Sequence, residues 1–413
     1  MFSVWGGMLP PHMFKTGTEF LTKNILCIDI EGGHGGSSRS LLTALRRVSR
    51  DEFNVSVWCR LGGFIEDEYR KCGIACEVEP TMPRLTPVGK WYINFLLCLK
   101  FVSFQWMQSK SFRFKLLKAV ENFDVIHCNH TSLVLVMCWL KWKRPNSKVV
   151  FHVRTMPPVN WLSRWLARKV SNVANQLIFI TSNEKNHFET LIGHSVNGKI
   201  LFNPVCMGVS KLPKCMRIVS SASLKILMLS NFSHERGTDR IIKLAIRMRE
   251  ELGNNVHFYV AGNGPPNKKK RFGFRRKQLL SKSELLAFEL DKTVTLLGHC
   301  RYPERLISHC DLLIKPTREN NPWGRDILEA LAGGIPVISV GFFDAFVESG
   351  VTGLLQKSYD LEGMVKWILA VQAEPWKLQR MGENAQNRIK DMCDPAVYAL
   401  KLQKTWTEMS LTK

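Results

Sequence analysis

Between Thr317 and Gly334 the chain reads Thr-Arg-Glu-Asn-Asn-Pro-Trp-Gly-Arg-Asp-Ile-Leu-Glu-Ala-Leu-Ala-Gly-Gly, flanked by an apolar run ending at Ile314 and another from Ile335 to Val340. That order predicts strand, loop, helix, strand. Asn321 is suited to cap the helix, Pro322 fits its first turn because a missing N–H costs nothing there, and Gly333 and Gly334 permit the exit. The amides of Trp323, Gly324 and Arg325 would then point out of the helix start, where unsatisfied donors and the dipole together favour an anion. Glu329 lies further along the same helix, within reach of a polyol held near those amides. A phosphate cradle beside a carboxylate for hydroxyls suits a sugar nucleotide. The plain alternative is a helix that happens to carry a Glu and to begin Asn-Pro; the flanking strands and the Gly-Gly-Ile-Pro-Val exit argue for the ligand.

A second cradle has the same logic. Glu31-Gly32-Gly33-His34-Gly35-Gly36-Ser37-Ser38 follows the first predicted strand and opens a helix, so Gly33, Gly35 and Gly36 would let backbone amides approach a phosphate or a sugar. Tight turns also use Gly for geometry alone, and the loop by itself is weak evidence. Gly262-Asn263-Gly264-Pro265 forms another turn after a later strand.

These loops need a scaffold, and the pattern of apolar runs supplies one. Strands are predicted at 24–30, 54–59, 74–78, 125–127, 149–153, 177–180 and 200–202, with helical spacing over 38–48. Alternation of this kind implies an α/β fold with a parallel sheet and helices on both faces. The pattern lapses over 206–223, which reads as a linker, and restarts with strands at 225–229, 256–261, 294–297, 312–314 and 335–340 and a helix over 239–252. A second Rossmann-like domain follows from that order. The 413 residues suit two domains, placed at 24–205 and 224–390, with a loose tail over 1–23 and a helical end over 391–413.

The helix with Glu329 resembles the donor-site signature of glycosyltransferase family 4, in which a Glu, seven residues and a second Glu precede Ala-x-Ala-x-Gly-x-Pro-Val. Glu329 matches the second Glu, which the resemblance assigns to the ribose hydroxyls, and Asn321 stands where the sugar-contacting first Glu would be. The resemblance covers nearly the whole chain, strongest from Lys225 to Gly353. It implies the GT-B fold, two facing Rossmann-like domains with a cleft between them, closed by C-terminal helices that cross back to the first domain. It also implies a retaining glycosyltransferase whose substrate is a nucleoside diphosphate sugar and whose acceptor is a glycan or a lipid-linked glycan.

Departure of a diphosphate requires positive charge, from a metal or from fixed cations and amides. The Asp-x-Asp element of metal-dependent transferases is missing, Asp29-Ile30-Glu31 being a poor imitation, so no metal or other cofactor is expected. Arg236, in Asn231-Phe232-Ser233-His234-Glu235-Arg236-Gly237, occupies the family's Lys position before Gly, while Asn231 stands near its Arg position. Arg325 is the candidate substitute. By the same match Gly33, Gly35 and Gly36 face the diphosphate, Gly264 lies beside the nucleotide, and residues 298–302 wall the base. The first domain should offer a His near the sugar. Arg154 and His152 in Val149-Val150-Phe151-His152-Val153-Arg154 are equal candidates, with His127 and His130 behind them.

Composition narrows the partners. With 45% hydrophobic and 23% charged residues the chain is globular, and its twelve scattered Cys suggest a reducing compartment without disulfides. Neither Cys72 with Cys76 nor His127, Cys128 and His130 completes a zinc spacing. A net charge of +23 suits nucleic acid, an anionic membrane or phosphorylated substrates. No motif supports specific nucleic-acid recognition. The basic run from Lys268 to Lys277 reads as a surface loop. Residues 1–23 do not read as a signal peptide, and no run of 18 uncharged apolar residues occurs. From Trp91 to Ala119 large apolar residues are mixed with Lys and Arg, a composition that suits helices lying in a membrane interface and equally ordinary helices covering the sheet. The expectation is a cytoplasmic protein that docks on the inner membrane face.

Overall fold

Short runs of residues such as Ile25-Leu26-Cys27-Ile28, all fully buried, are what a strand covered on both faces requires. The computed structural model describes residues 22–30, 35–84, 95–208, 223–262, 293–300 and 302–411. The first half runs β1 (Lys23–Asp29), α1 (Gly36–Leu45), β2 (Phe53–Cys59), α2 (Phe64–Lys71), β3 (Ala75–Val78), α3 (Phe95–Gln108), α4 (Lys110–Ala119), β4 (Val125–Cys128), α5 (Val134–Lys143), β5 (Val149–Val153), α6 (Trp161–Val173), β6 (Gln176–Phe179), α7 (Ser182–Ile192) and β7 (Gly198–Ile200). The second runs β8 (Leu224–Leu229), α8 (Thr238–Leu252), β9 (Val256–Ala261), β10 (Val294–Gly298), α9 (Pro303–Ile307), β11 (Leu312–Lys315), α10 (Arg325–Ala332), β12 (Val337–Val340), β13 (Gly353–Gln356), α11 (Leu361–Ala373), α12 (Pro375–Cys393) and α13 (Pro395–Leu411).

Strand order is β3-β2-β1-β4-β5-β6-β7 in one sheet and β10-β9-β8-β11-β12-β13 in the other. All pairings are parallel, for example Ile25 opposite Val55 on one side and Val125 on the other, so every connection crosses a face. In each sheet the direction of strand addition reverses once, between β1 and β4 and between β8 and β11. Ligands of such sheets bind beyond the carboxyl ends of the strands at that reversal. The fold is therefore two Rossmann-like domains with one predicted binding crevice each.

Apolar clusters cover both faces of both sheets. The return of the C-terminal helix is visible in one of them: Tyr398, Leu402 and Trp406 of α13 pack with Ile25, Val57 and Val150 of the first sheet. Another is continuous between the halves, joining Ile180 and Val205 to Leu227, Trp323 and Ile327.

The structure shifts several sequence-derived boundaries. The tail predicted to reach residue 23 ends earlier, because Lys23 already belongs to β1 and bonds Glu52 O at 2.9 Å. The strand predicted over 200–202 is β7 at Gly198–Ile200, where Gly198 lies so close to the Phe179 ring that a Cβ would sit 2.3 Å from it. Strand β12 starts at Val337 because Ile335 N still bonds Ala330 O, 3.0 Å away, in the exit from α10. Strand β13, which the sequence did not suggest, is a four-residue edge strand beginning at a Gly. The basic run 268–277 and most of the 206–223 linker lie outside the described residues.

Candidate active site

The segment 316–324 leaves β11 and is held in an irregular path before the helix. Asn320 takes a positive φ of 47°, and its Oδ1 accepts from Phe342 N at 2.9 Å. Trp323 is buried with its ring 5.4 Å from Phe343, and its indole N–H donates to Glu184 Oε1 of the first half, 2.7 Å away. This anchor pulls residues 321–323 off the helical path. The cap is therefore Gly324 and α10 begins at Arg325, which corrects the expected start at Asn321 and Pro322. The amides that open the helix are those of Arg325 and Asp326. The exit is as expected, with Gly334 at φ 75°, where a non-Gly residue would be strained.

Glu329 sits one turn into α10 with its side chain 9% exposed. Its Oε1 receives Arg325 Nε at 2.6 Å and Arg39 Nη2 at 2.7 Å; its Oε2 receives Arg39 Nη1 at 3.3 Å. Arg325 has further partners: Nη1 donates to Ser40 Oγ (2.9 Å) and Pro204 O (3.0 Å), and Nη2 to Thr43 Oγ1 (3.5 Å). Burial lowers its pKa from the ordinary arginine value, with Glu329 acting the other way. Arg325, proposed from sequence as a free cation for phosphate, is thus a tie from the donor helix to α1. Gly36 packs on this tie, an added Cβ lying 3.8 Å from Arg325 Cβ. Gly35 caps α1; Gly33 and Gly264 lie outside the described residues.

Around the second reversal point Arg236 meets Glu319 at 3.0 Å. The same Glu319 oxygen accepts from Asn321 Nδ2 at 2.9 Å, so Arg236, Glu319 and Asn321 form one cluster. Asn321 Oδ1 is buried with no hydrogen-bond partner among the described residues. Gly237, which caps α8 at φ 78°, is required there because a Cβ would lie 2.0 Å from Pro316 O. Gly298 ends β10, and Tyr302 packs edge-on against Phe64 of the first half, with ring centroids 5.5 Å apart.

In the first half, Arg154 follows β5 and is hydrogen-bonded by Asn129 Oδ1 (3.0 Å), Asn203 Oδ1 (2.6 Å), His152 Nδ1 (3.1 Å) and the Tyr398 hydroxyl, with the buried Asp29 carboxylate also acting on it. His152 is fully buried, and burial together with Arg154 and His127 holds it neutral, well below the ordinary histidine value. Since guanidinium only donates, His152 Nδ1 is the acceptor and the proton sits on Nε2. His152 orients Arg154 from below. His127 lies in the core, accepting from Trp406 Nε1 at 3.3 Å, and burial pushes it down to about 3. His130, at the end of β4, accepts from Ser132 N at 3.1 Å.

Sequence reasoning missed Arg39, Asn129 and Asn203. Each stands just beyond a Gly-rich turn or a strand end, so the topology carried a signal for them. A groove lined by Trp367, Trp376, Arg380 and Asn384 involves none of the residues above.

Two family models match the chain, glycosyltransferase family 4 over residues 34–205 and glycosyl transferases group 1 over residues 219–388. An uncharacterized 42.6 kDa protein in the cps region of Klebsiella pneumoniae is 21% identical over 57% of this chain, which spans 63% of that relative. The crystal structure of Anabaena HepE in complex with UDP and glucose superposes with a TM-score of 0.72 at 18% identity, covering 94% of this chain and all of that one. The lipopolysaccharide outer core galactosyltransferase WaaB in its apo form gives 0.59 at 14% identity, covering 94% of this chain and all of that one. At these identities the structural likenesses establish the fold, GT-B. With one family model on each of its two sheets, the chain belongs to the group 1, family 4 type glycosyltransferases.

Proposed function

We propose that the protein transfers a sugar, with retention, from a nucleoside diphosphate to a glycan or lipid-linked acceptor in the synthesis of a cell-surface polysaccharide or lipopolysaccharide. The observation that carries this reading is the meeting of two helix starts, α1 behind Gly35 and α10 behind Gly324, at the contact of Gly36 with Arg325. Both starts present amide donors, and Arg39, Arg154 and Arg236 add charge at the strand ends. Glu329 supplies the carboxylate for ribose hydroxyls. In this reading the growing charge on the leaving diphosphate is met by arginines and amides, and a divalent ion is not needed. HepE was crystallised with UDP and glucose, which makes UDP-sugars the first donors to try. The test is hydrolysis of a panel of UDP-, GDP- and ADP-sugars, with and without EDTA. Turnover of one of them that survives EDTA is the expected result; no turnover of any overturns the reading, and rescue by manganese or magnesium after EDTA overturns its metal-free part.

One observation favours a second reading. Asn321 and Asn231 stand where the family carries charge, as in a protein that binds glycans or polyanions without turnover. Binding of a nucleoside diphosphate without hydrolysis or transfer would select it.

The acceptor side of the proposal rests on the outer surface of α3 to α6. Phe104 (56% exposed), Met107 (75%), Phe114 (57%) and Trp142 (71%) project there. Between residues 95 and 173 the sequence carries thirteen Lys and Arg against Glu121 and Asp124. No helix among the described residues is long and apolar enough to cross a membrane. Insertion of aromatic side chains beside cations is a means of reversible attachment to an anionic surface, where lipid-linked acceptors reside. Sedimentation with vesicles should show binding that needs anionic lipid and weakens with salt. Equal recovery in the supernatant with neutral and anionic vesicles would leave a soluble glycan as the acceptor.

A further inference from the structure

We propose that Arg39 of α1 is the residue that grips the donor's diphosphate from the first half. The inference rests on the sugar-nucleotide reading of the cleft and adds a residue to it.

Arg39 crosses from the first half to the second. Its guanidinium faces Glu329 in a two-point contact, 2.7 Å from Nη2 to Oε1 and 3.3 Å from Nη1 to Oε2, and lies 3.6 Å from Glu304 Oε2. Arg325 uses the same Glu329 carboxylate, so two guanidinium groups share one buried acid. Glu304 does not balance them fully, since its side chain is 41% exposed and its charge is screened by water. The cluster is formally balanced, but the carboxylate facing Arg39 is shared and its second partner is screened.

Of the two cations, Arg325 is the more fully used, with four of its five N–H donors engaged. It is buried by Ser40, Thr43 and Pro204 and bound to Glu329. Lys315 is likewise closed off, 5% exposed and 3.0 Å from Asp326. Arg39 differs: its side chain is 21% exposed, and its Nε–H makes no hydrogen bond among the described residues. It also rises one turn beyond the Gly35 cap of α1, where the first amides of the helix favour an anion. A guanidinium matches two phosphate oxygens with two parallel N–H groups. A ribose bound at Glu329 would bring its 5′-diphosphate alongside this group, and the exchange is balanced: Glu329 accepts from ribose hydroxyls while Arg39 turns its fork to phosphate oxygens.

The test compares UDP with uridine by calorimetry at two salt concentrations, with GDP and ADP in reserve if UDP does not bind. The wild-type protein should bind the diphosphate more tightly than the nucleoside. In Arg39→Ala, affinity for the diphosphate should fall at least about tenfold, its salt dependence should lessen, and affinity for the nucleoside should stay. Arg39→Lys, which keeps a charge opposite Glu329 and guards against a folding defect, should recover part of the loss. Unchanged diphosphate affinity in Arg39→Ala overturns the inference, as does an equal loss for nucleoside and diphosphate, which would make Arg39 a mere positioner of Glu329. If the wild-type protein binds none of the three diphosphates, the sugar-nucleotide reading itself fails.

Discussion

The two halves repeat one strand order, yet Arg154 of the first and several cations of the second are held in different ways. In the second half Arg236, Arg318, Lys315 and Arg325 each face a carboxylate, Glu319, Asp239, Asp326 and Glu329 respectively. In the first half Arg154 is hydrogen-bonded by two Asn side chains, a neutral His and a Tyr hydroxyl, and the buried Asp29 carboxylate acts on it as well. Paired arginines fix loops and helix starts; an arginine whose hydrogen bonds go to neutral groups is less fully neutralised by its contacts. On the proposed function, the second half would shape the donor site and the first half would supply positive charge for an anionic donor.

Removal of the acid at the junction should give the largest effect. Hydrogen bonds to a charged group are worth roughly 1.5–3 kcal/mol each, so loss of two ribose contacts in Glu329→Ala should lower kcat/KM by at least about two decades. The same change leaves Arg325 buried without its carboxylate, at a cost of about 3–5 kcal/mol of stability. Thermal melting must therefore be measured alongside, together with Glu329→Gln, which keeps the shape. Wild-type turnover in a folded Glu329→Ala protein would sink the donor-site assignment and with it the division of labour.

The comparison sharpens on Arg154 and Arg236. Arg154→Ala should depress kcat by roughly 10² if its charge meets the transition state, the scale set by removal of one fixed donor from an oxyanion site. Arg236→Ala, whose side chain is 40% exposed and already paired, should cost only about tenfold, with kcat reduced more than KM is raised. If Arg236→Ala proves the more damaging, the neutral hydrogen-bond partners of Arg154 do not mark the catalytic charge.

Most of the scaffold was legible in the sequence because strands buried on both faces are written as continuous apolar runs, as at Ile25 to Ile28 and Leu312 to Ile314. Edge strands were not, since β7 and β13 are three and four residues long and begin at Gly. Within the candidate site, the start of α1 behind the Gly-rich turn was readable from local spacing. The start of α10 was not, because it is decided by Trp323 reaching Glu184, 139 residues away in the chain. The pairing of Arg39 with Glu329 spans 290 residues, and local periodicity has no access to it. Arg325 was misplaced for the same reason: nothing near it in sequence announces Ser40 or Pro204 as its partners.

The Glu184 contact offers the mildest test, because it touches how the halves are joined and not what they bind. Burial raises the Glu184 carboxyl above its ordinary value of 4.5, although the Thr181 hydroxyl and the Trp323 indole favour the ionised form. A carboxyl raised in the folded state takes up a proton on folding. Its contribution to stability is therefore greatest below the unfolded value and declines as pH rises through the folded one. Gln carries no charge at any pH and can still accept from Trp323 through its amide oxygen. Glu184→Gln should melt with the wild type near pH 4 and above it at pH 7, by about 2–4 °C for each kcal/mol of relief. Turnover should change little, since α10 keeps its anchor. A variant that melts below the wild type at pH 7 would mean that the carboxylate itself is what Trp323 requires, and the seam between the halves would then depend on a buried charge in the first half as much as the donor helix depends on Glu329 in the second.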